Sequence, residues 1–138
     1  MALVMNPYSK YVQNKVNVTS KGSLLIMVYD SAIRNLKEAK KHIDEKNLQK
    51  KGEAINIAYK AVSELLVSLD FNIGGDIPKN LSKIYNYILR EITSSNIAND
   101  SQKLNVPLKI LEDLRVTWLE VIKIENNKSS GSNAYQKA

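Results

Sequence analysis

From Ser20 onward, apolar side chains recur every three or four residues with few interruptions. That spacing gathers them on one face of an α-helix and does not fit the two-residue alternation of a half-buried strand. One stripe runs through Leu24, Val28, Ala32, Leu36, Ala39 and Ile43, with Leu25 and Tyr29 alongside. It predicts a first helix from Ser20, a good N-cap residue, to about Lys46. Ile55, Ala58, Val62, Leu65, Leu66 and Leu69 predict a second from about Leu48 to Asn72. Gly74-Gly75 is expected to stop it, because glycine takes the left-handed conformation that helix ends often require. A third helix should begin at Ile77 or Pro78, where proline is tolerated in the first turn. It continues through Leu81, Ile84, Tyr85, Ile88, Leu89 and Ile92, and Asn96 to Asp100 reads as its end and the next cap. The fourth carries Leu104, Leu111, Leu114, Trp118, Val121 and Ile122, with Pro107 near its start. Four amphipathic helices with short connections predict an all-α fold, an antiparallel (up-down) four-helix bundle.

A chain of 138 residues holds one such bundle and not two comfortable domains. The bundle is expected over residues 20–126. Residues 127–138 include Lys128-Ser129-Ser130-Gly131-Ser132-Asn133, which has no core-forming pattern and is expected to be a disordered tail. Residues 1–19 read as an N-terminal capping segment. There Tyr8, Tyr11 and Val12 fall at i, i+3 and i+4, with Met5 one turn earlier, so a short helix lying across the bundle is expected. It is either a permanent cover or a movable one.

Composition excludes several kinds of chemistry. The absence of cysteine removes disulfides, thiolate metal sites and cysteine nucleophiles, and suits a reducing compartment. Met1 to Met5 are apolar only briefly, with no basic stretch before them, and no later window approaches a membrane span. A cytoplasmic protein without stable membrane insertion is expected. His42 is the single histidine, so neither a histidine triad nor a multi-histidine metal site is available within one chain. Glu38 and His42 are four apart and unrepeated, unlike the motifs of di-metal bundles. Glu53, Glu64, Glu91, Glu112 and Glu120 mostly lie off the apolar stripes, and no glycine-rich phosphate loop is present. No enzyme, cofactor or metal is expected.

The net charge of +6 admits attraction to nucleic acid or another anionic partner. Yet most basic residues are lysines among acids: Lys40, Lys41, Lys50 and Lys51 are the densest group, and Asp44, Glu45 and Glu53 sit among them. Arginine appears only at Arg34, Arg90 and Arg115, so a solvated surface without nucleic acid is the preferred reading. Apolar excess is more informative. Ala54, Ile57 and Ala61 widen the second stripe on one side and Tyr59 on the other, and Leu24 to Tyr29 is apolar all round. Small alanines let another helix approach closely. These surfaces are covered either by this chain or by a partner.

Several fragments, in order, resemble those of the flagellar secretion chaperones called FliS. They are Asn6-Pro7-Tyr8, Tyr11, Asn14, Val16 and Thr19-Ser20; Leu24 to Asp30, then Ala32-Ile33-Arg34; and Lys60-Ala61, Glu64-Leu65 and Ser68-Leu69-Asp70. Gly74 to Ile77, Asn80-Leu81, Tyr85-Asn86-Tyr87, Asn96 to Asp100, and Leu114-Arg115 with Trp118 complete the set, so the resemblance spans about residues 6 to 122. The chain departs from the family's habit at Lys21, where proline is usual, at Ser31, where glycine is, and at Pro7 and Ser95, where alanine is. Many members are also closer to neutral or acidic.

The resemblance implies an antiparallel bundle that binds the C-terminal segment of flagellin, which is disordered as a free monomer and helical in the filament. Helix-in-groove contacts would cover faces meant for neighbouring subunits, preventing premature polymerisation, and the complex would be delivered to the flagellar export gate. It also implies flagellin-binding roles for Tyr8 first, then Met5 and Tyr11. Ile55, Ala58, Ala61, Val62 and Tyr85 are groove candidates that plain core would equally explain; Val62 and Tyr85 sit centrally on their stripes, which favours core. Asn80 either bonds the client backbone or caps the third helix. The free protein is expected to be a monomer, with a weak dimer as the alternative. The competing functions are a basic helical module binding nucleic acid or another anionic partner, and a self-associating structural bundle.

Overall fold

Each apolar stripe becomes a helix. The computed structural model describes the backbone of residues 17–137 and the side chains of residues 21–128. Helix α1 is Asn17–Asp44, α2 is Leu48–Val67, α3 is Ile77–Ala98 and α4 is Asn105–Lys137, with a 3-10 turn at Ser101–Leu104 before α4. The fold is all-α, with no strand among the described residues. The proposed capping segment lies outside them except for its last residues.

The helix ends differ from the sequence expectation where side chains bond locally. Helix α1 begins at Asn17, so Ser20 lies inside it and not at its cap. Helix α2 stops at Val67, short of Asn72. The Ser68 hydroxyl donates to the Leu65 carbonyl at 2.9 Å, and the Asp70 carboxylate accepts from the Asn72 backbone N–H at 2.9 Å. Such bonds compete with continuation of the helix. Gly75, at φ +93°, therefore serves the turn before α3 and does not end α2. Pro78 does sit in the first turn of α3. Asn99, left-handed at φ 50°, ends that helix, and Asp100 then caps the 3-10 turn by accepting from the Gln102 N–H at 3.0 Å. Helix α4 runs past Asn127, where the sequence places its end, to Lys137. A polar composition does not itself break a helix, and no proline follows Pro107.

Two compact units make up the chain: Met27–Leu114, and Met1–Ile26 with Arg115–Ala138. In the second, Gly22 is buried, and a Cβ built there would stand 2.9 Å from Ile122 Cδ1, so the absence of a side chain permits that close approach.

Met27–Leu114 contains the principal core. Tyr29, Ala32, Leu36 and Ala39 of α1, Ala58 and Val62 of α2, Ile88 and Ile92 of α3, and Leu104 and Leu111 are fully buried. At its centre the hydroxyls of Tyr29 and Tyr85 hydrogen-bond at 2.5 Å. The helices of this unit alternate in direction, as hydrogen bonds at their ends show. The Lys51 ammonium, near the start of α2, donates to the Asn96 carbonyl at 3.2 Å and to Asn99 Oδ1 at 2.6 Å, at the end of α3. The Ser101 hydroxyl donates to Asp44 at the end of α1, at 2.7 Å. Lys40, also late in α1, donates to Asn105 at the start of α4. Three residues join α1 to α2, and Asn47 caps α2 by accepting from the Lys50 N–H at 3.2 Å.

Lys51 is a buried cation at a helix C-terminus, where free carbonyls and the helix dipole both favour positive charge. Lys51→Met keeps the aliphatic stem and removes both hydrogen bonds. Urea denaturation should show stability lower by about 1–3 kcal/mol; an unchanged midpoint would mean that the lysine does not tie the two helices.

Candidate interaction surface

The sequence-derived binding residues fall into three groups. Met5, Tyr8 and Tyr11 lie outside the described residues. Ile55, Ala58, Ala61, Val62 and Tyr85 are at most 6 % exposed and belong to the core, between helices of this chain. Ala54 and Ala61, small enough for an incoming helix to approach, are likewise buried within the chain, and of that flank only Ile57 is open to solvent. Asn80 is exposed in the first turn of α3, where its backbone N–H donates to the Asp76 carbonyl at 2.9 Å.

The other flank of α2 is different. Tyr59, one position beyond buried Ala58, is 41 % exposed. It faces a groove of about 520 Å³ whose opposite wall is α3: Asn86, Leu89, Arg90, Thr93, Ser94, Ile97 and Ala98. The α3 stripe 86, 90, 93, 97 is offset by roughly one residue's 100° rotation from the core stripe 81, 85, 88, 92, so the core fixes its direction. Leu89 forms the floor and is nearly buried, while Ile97 at the end is 79 % exposed. Asn86 donates to the Ser82 carbonyl at 3.0 Å and the Thr93 hydroxyl to the Leu89 carbonyl at 3.0 Å, so both are held against their own helix. The groove can therefore seat an amphipathic segment along Tyr59 and Ile97.

A second depression, of about 410 Å³, lies between α1 and α4 and is lined by Lys37, Lys40, Asn105, Leu108, Lys109 and Glu112. Its charge is partly satisfied within the chain. Lys40 bonds Asn105, and Lys109 meets Asp113 at 3.0 Å. The hydrogen bond that Lys109 donates to Asp113, then the charge of that carboxylate, raises the Lys109 ammonium above its ordinary pKa. This is a weak anion-binding surface by comparison with an uncompensated basic patch.

His42 lies at the edge of the core near the end of α1, with Nε2 3.4 Å from Glu38 and Nδ1 3.9 Å from Glu45. Among the described residues, no group of three or more histidine, aspartate or glutamate side chains is placed to hold a metal ion. No helix among them is long and apolar enough to cross a membrane.

Sequence reasoning found Tyr59 as a flank but missed Arg90, Thr93 and Ile97. The available signal was the spacing 86, 90, 93, 97, which ends on an isoleucine outside the core stripe. Asn96 to Asp100 carries the sequence signals of a helix end and the next cap, which draw Ile97 away from the stripe it completes.

Comparison with known proteins gives one answer. The family model described as "Flagellar protein FliS" matches residues 4–125. The flagellar secretion chaperone FliS of Bacillus subtilis is 29% identical over 129 residues, covering 94% of this chain and 96% of that protein. That of Vibrio cholerae is 28% identical over 110 residues, covering 80% and 81%. The Salmonella typhimurium protein is 29% identical over 111 residues, covering 80% and 82%.

Burial separates core from surface in a measurable way. Tyr85→Phe removes the bond to Tyr29 and should lower stability in urea by about 1 kcal/mol. Ile97→Ser should stay within about 0.5 kcal/mol of the parent, as exposed positions do. Equal losses from both would contradict this assignment.

Proposed function

Because the chain belongs to the flagellar protein FliS family, we propose that it is a flagellar secretion chaperone whose client is the C-terminal segment of flagellin. The client lies as a helix in the groove between α2 and α3. The observation that carries this reading is that groove itself: open, and flanked by Tyr59 and Ile97. A segment that is disordered when free folds as it docks, burying on the order of 1,000–3,000 Å² while its ordering offsets part of the gain. Extensive contact therefore remains reversible, as export requires. Its apolar faces are covered until delivery to the flagellar export gate.

In this proposal the protein works in the cytoplasm, as a monomer, without catalysis. Residues 1–19 act as a movable cover, with Tyr8, Met5 and Tyr11 contacting the groove or the client. The interior residues Ile55, Ala58, Ala61, Val62 and Tyr85 support the groove walls from behind, and contact the client only if the helices separate. Asn80 offers an exposed amide near the α3 start.

Calorimetric titration with the last forty or so residues of the cognate flagellin, at two salt concentrations, tests this reading. One-to-one binding with a negative heat-capacity change and little salt dependence is expected. Tyr8→Ala should bind more weakly while folding normally. Absence of binding by the folded parent protein would overturn the proposal, and affinity falling steeply with salt would favour an anionic partner instead.

A further inference from the structure

The α2–α3 groove contains one charged side chain, and that side chain has no counterpart. Arg90 forms no hydrogen bond or ion pair among the described residues. Its polar neighbours Asn86 and Thr93 are already bonded to the backbone of their own helix. No carboxylate lines the groove. While the groove is open, water solvates the guanidinium. A helix laid along Tyr59 and Ile97 removes much of that water, and a covered cation without an acceptor opposes docking.

We propose that Arg90 is the specificity-determining residue of the groove, accepting only a client helix that brings an aspartate or glutamate side chain to it. This rests on the groove being the client's seat. A guanidinium presents a planar fork that a carboxylate meets with two parallel hydrogen bonds, and the pair is strengthened as water leaves. Discrimination comes from both directions. The right client gains the paired bonds, and an equally apolar helix without the acid leaves Arg90 covered and unpaired. The geometry also sets a spacing. Arg90 and Ile97 are seven residues apart on α3, or roughly 10 Å along its axis. A client helix lying along α3 therefore carries its acid about two turns from the apolar side chain that packs on Ile97.

The test uses the full chain and a synthetic peptide of the cognate flagellin's last forty or so residues. Arg90→Gln and Arg90→Lys are titrated beside the parent protein, and thermal melting checks that both variants fold. Arg90 is exposed, so both melts should match the parent. Arg90→Gln should bind about 10- to 100-fold more weakly, and Arg90→Lys, which keeps the charge but loses the fork, should fall between. Among peptides with single Asp→Asn or Glu→Gln changes, one should bind the parent protein as weakly as the natural peptide binds Arg90→Gln. The same change should cost nothing further against that variant. If the parent binds and Arg90→Gln binds within twofold of it, the role of Arg90 is overturned while the chaperone reading stands. If the parent does not bind, both fall.

Discussion

The burial of Tyr29 against Tyr85 fixes the register on which the candidate site depends. Both side chains are inaccessible to water, and each hydroxyl needs a partner, which the other supplies at 2.5 Å. With Tyr85 held inward, Ile88 and Ile92 follow it into the core at helical spacing. Arg90 and Ile97 must then turn toward α2's open flank. Lys51 fixes the other end of the same pair by binding the carbonyl and side chain that finish α3. A single set of inward contacts thus decides which residues face outward, and the groove follows from the core.

That dependence explains what was legible in the sequence. Four helices could be read because each carries an uninterrupted stripe, and Pro78 marked the start of α3 correctly. The end of α2 was misplaced because Ser68 and Asp70 divert the backbone through hydrogen bonds that periodicity does not encode. Gly74-Gly75 is the stronger breaker by sequence, although Gly75 works in the next turn. For the site the difficulty was more basic. Ile55, Ala58 and Val62 have the same spacing whether they meet a neighbouring helix or a client. Only the placement of α3 shows that this chain covers them and leaves Tyr59 open. Arg90 shares the helical spacing 86, 90, 93, 97, but a single charged residue on that stripe reads as ordinary solvated surface until α2 is placed beside it.

The charge of the chain takes on a different meaning once its partners are placed. Lys40, Lys51 and Lys109 each bond within the chain, two of them tying helix ends together. These three of the twenty basic residues therefore serve the scaffold. In the proposed client site, the apolar surface of Tyr59, Leu89, Ile97 and Ala98 suits a segment that folds as it binds, since apolar burial is non-directional. The single ionic contact proposed for Arg90 would add selectivity without making release depend on many bonds.

The absence of cysteine allows the central claim to be tested at a single position. Ile97→Cys places one thiol at the end of the groove, and Lys109→Cys places one on the α1–α4 surface as a control. Alkylation rates are then compared with and without a saturating flagellin C-terminal segment. Strong protection at Ile97→Cys, with Lys109→Cys unaffected, is the predicted result. An unprotected Ile97→Cys in a demonstrably bound complex would place the client elsewhere on the protein and contradict the account.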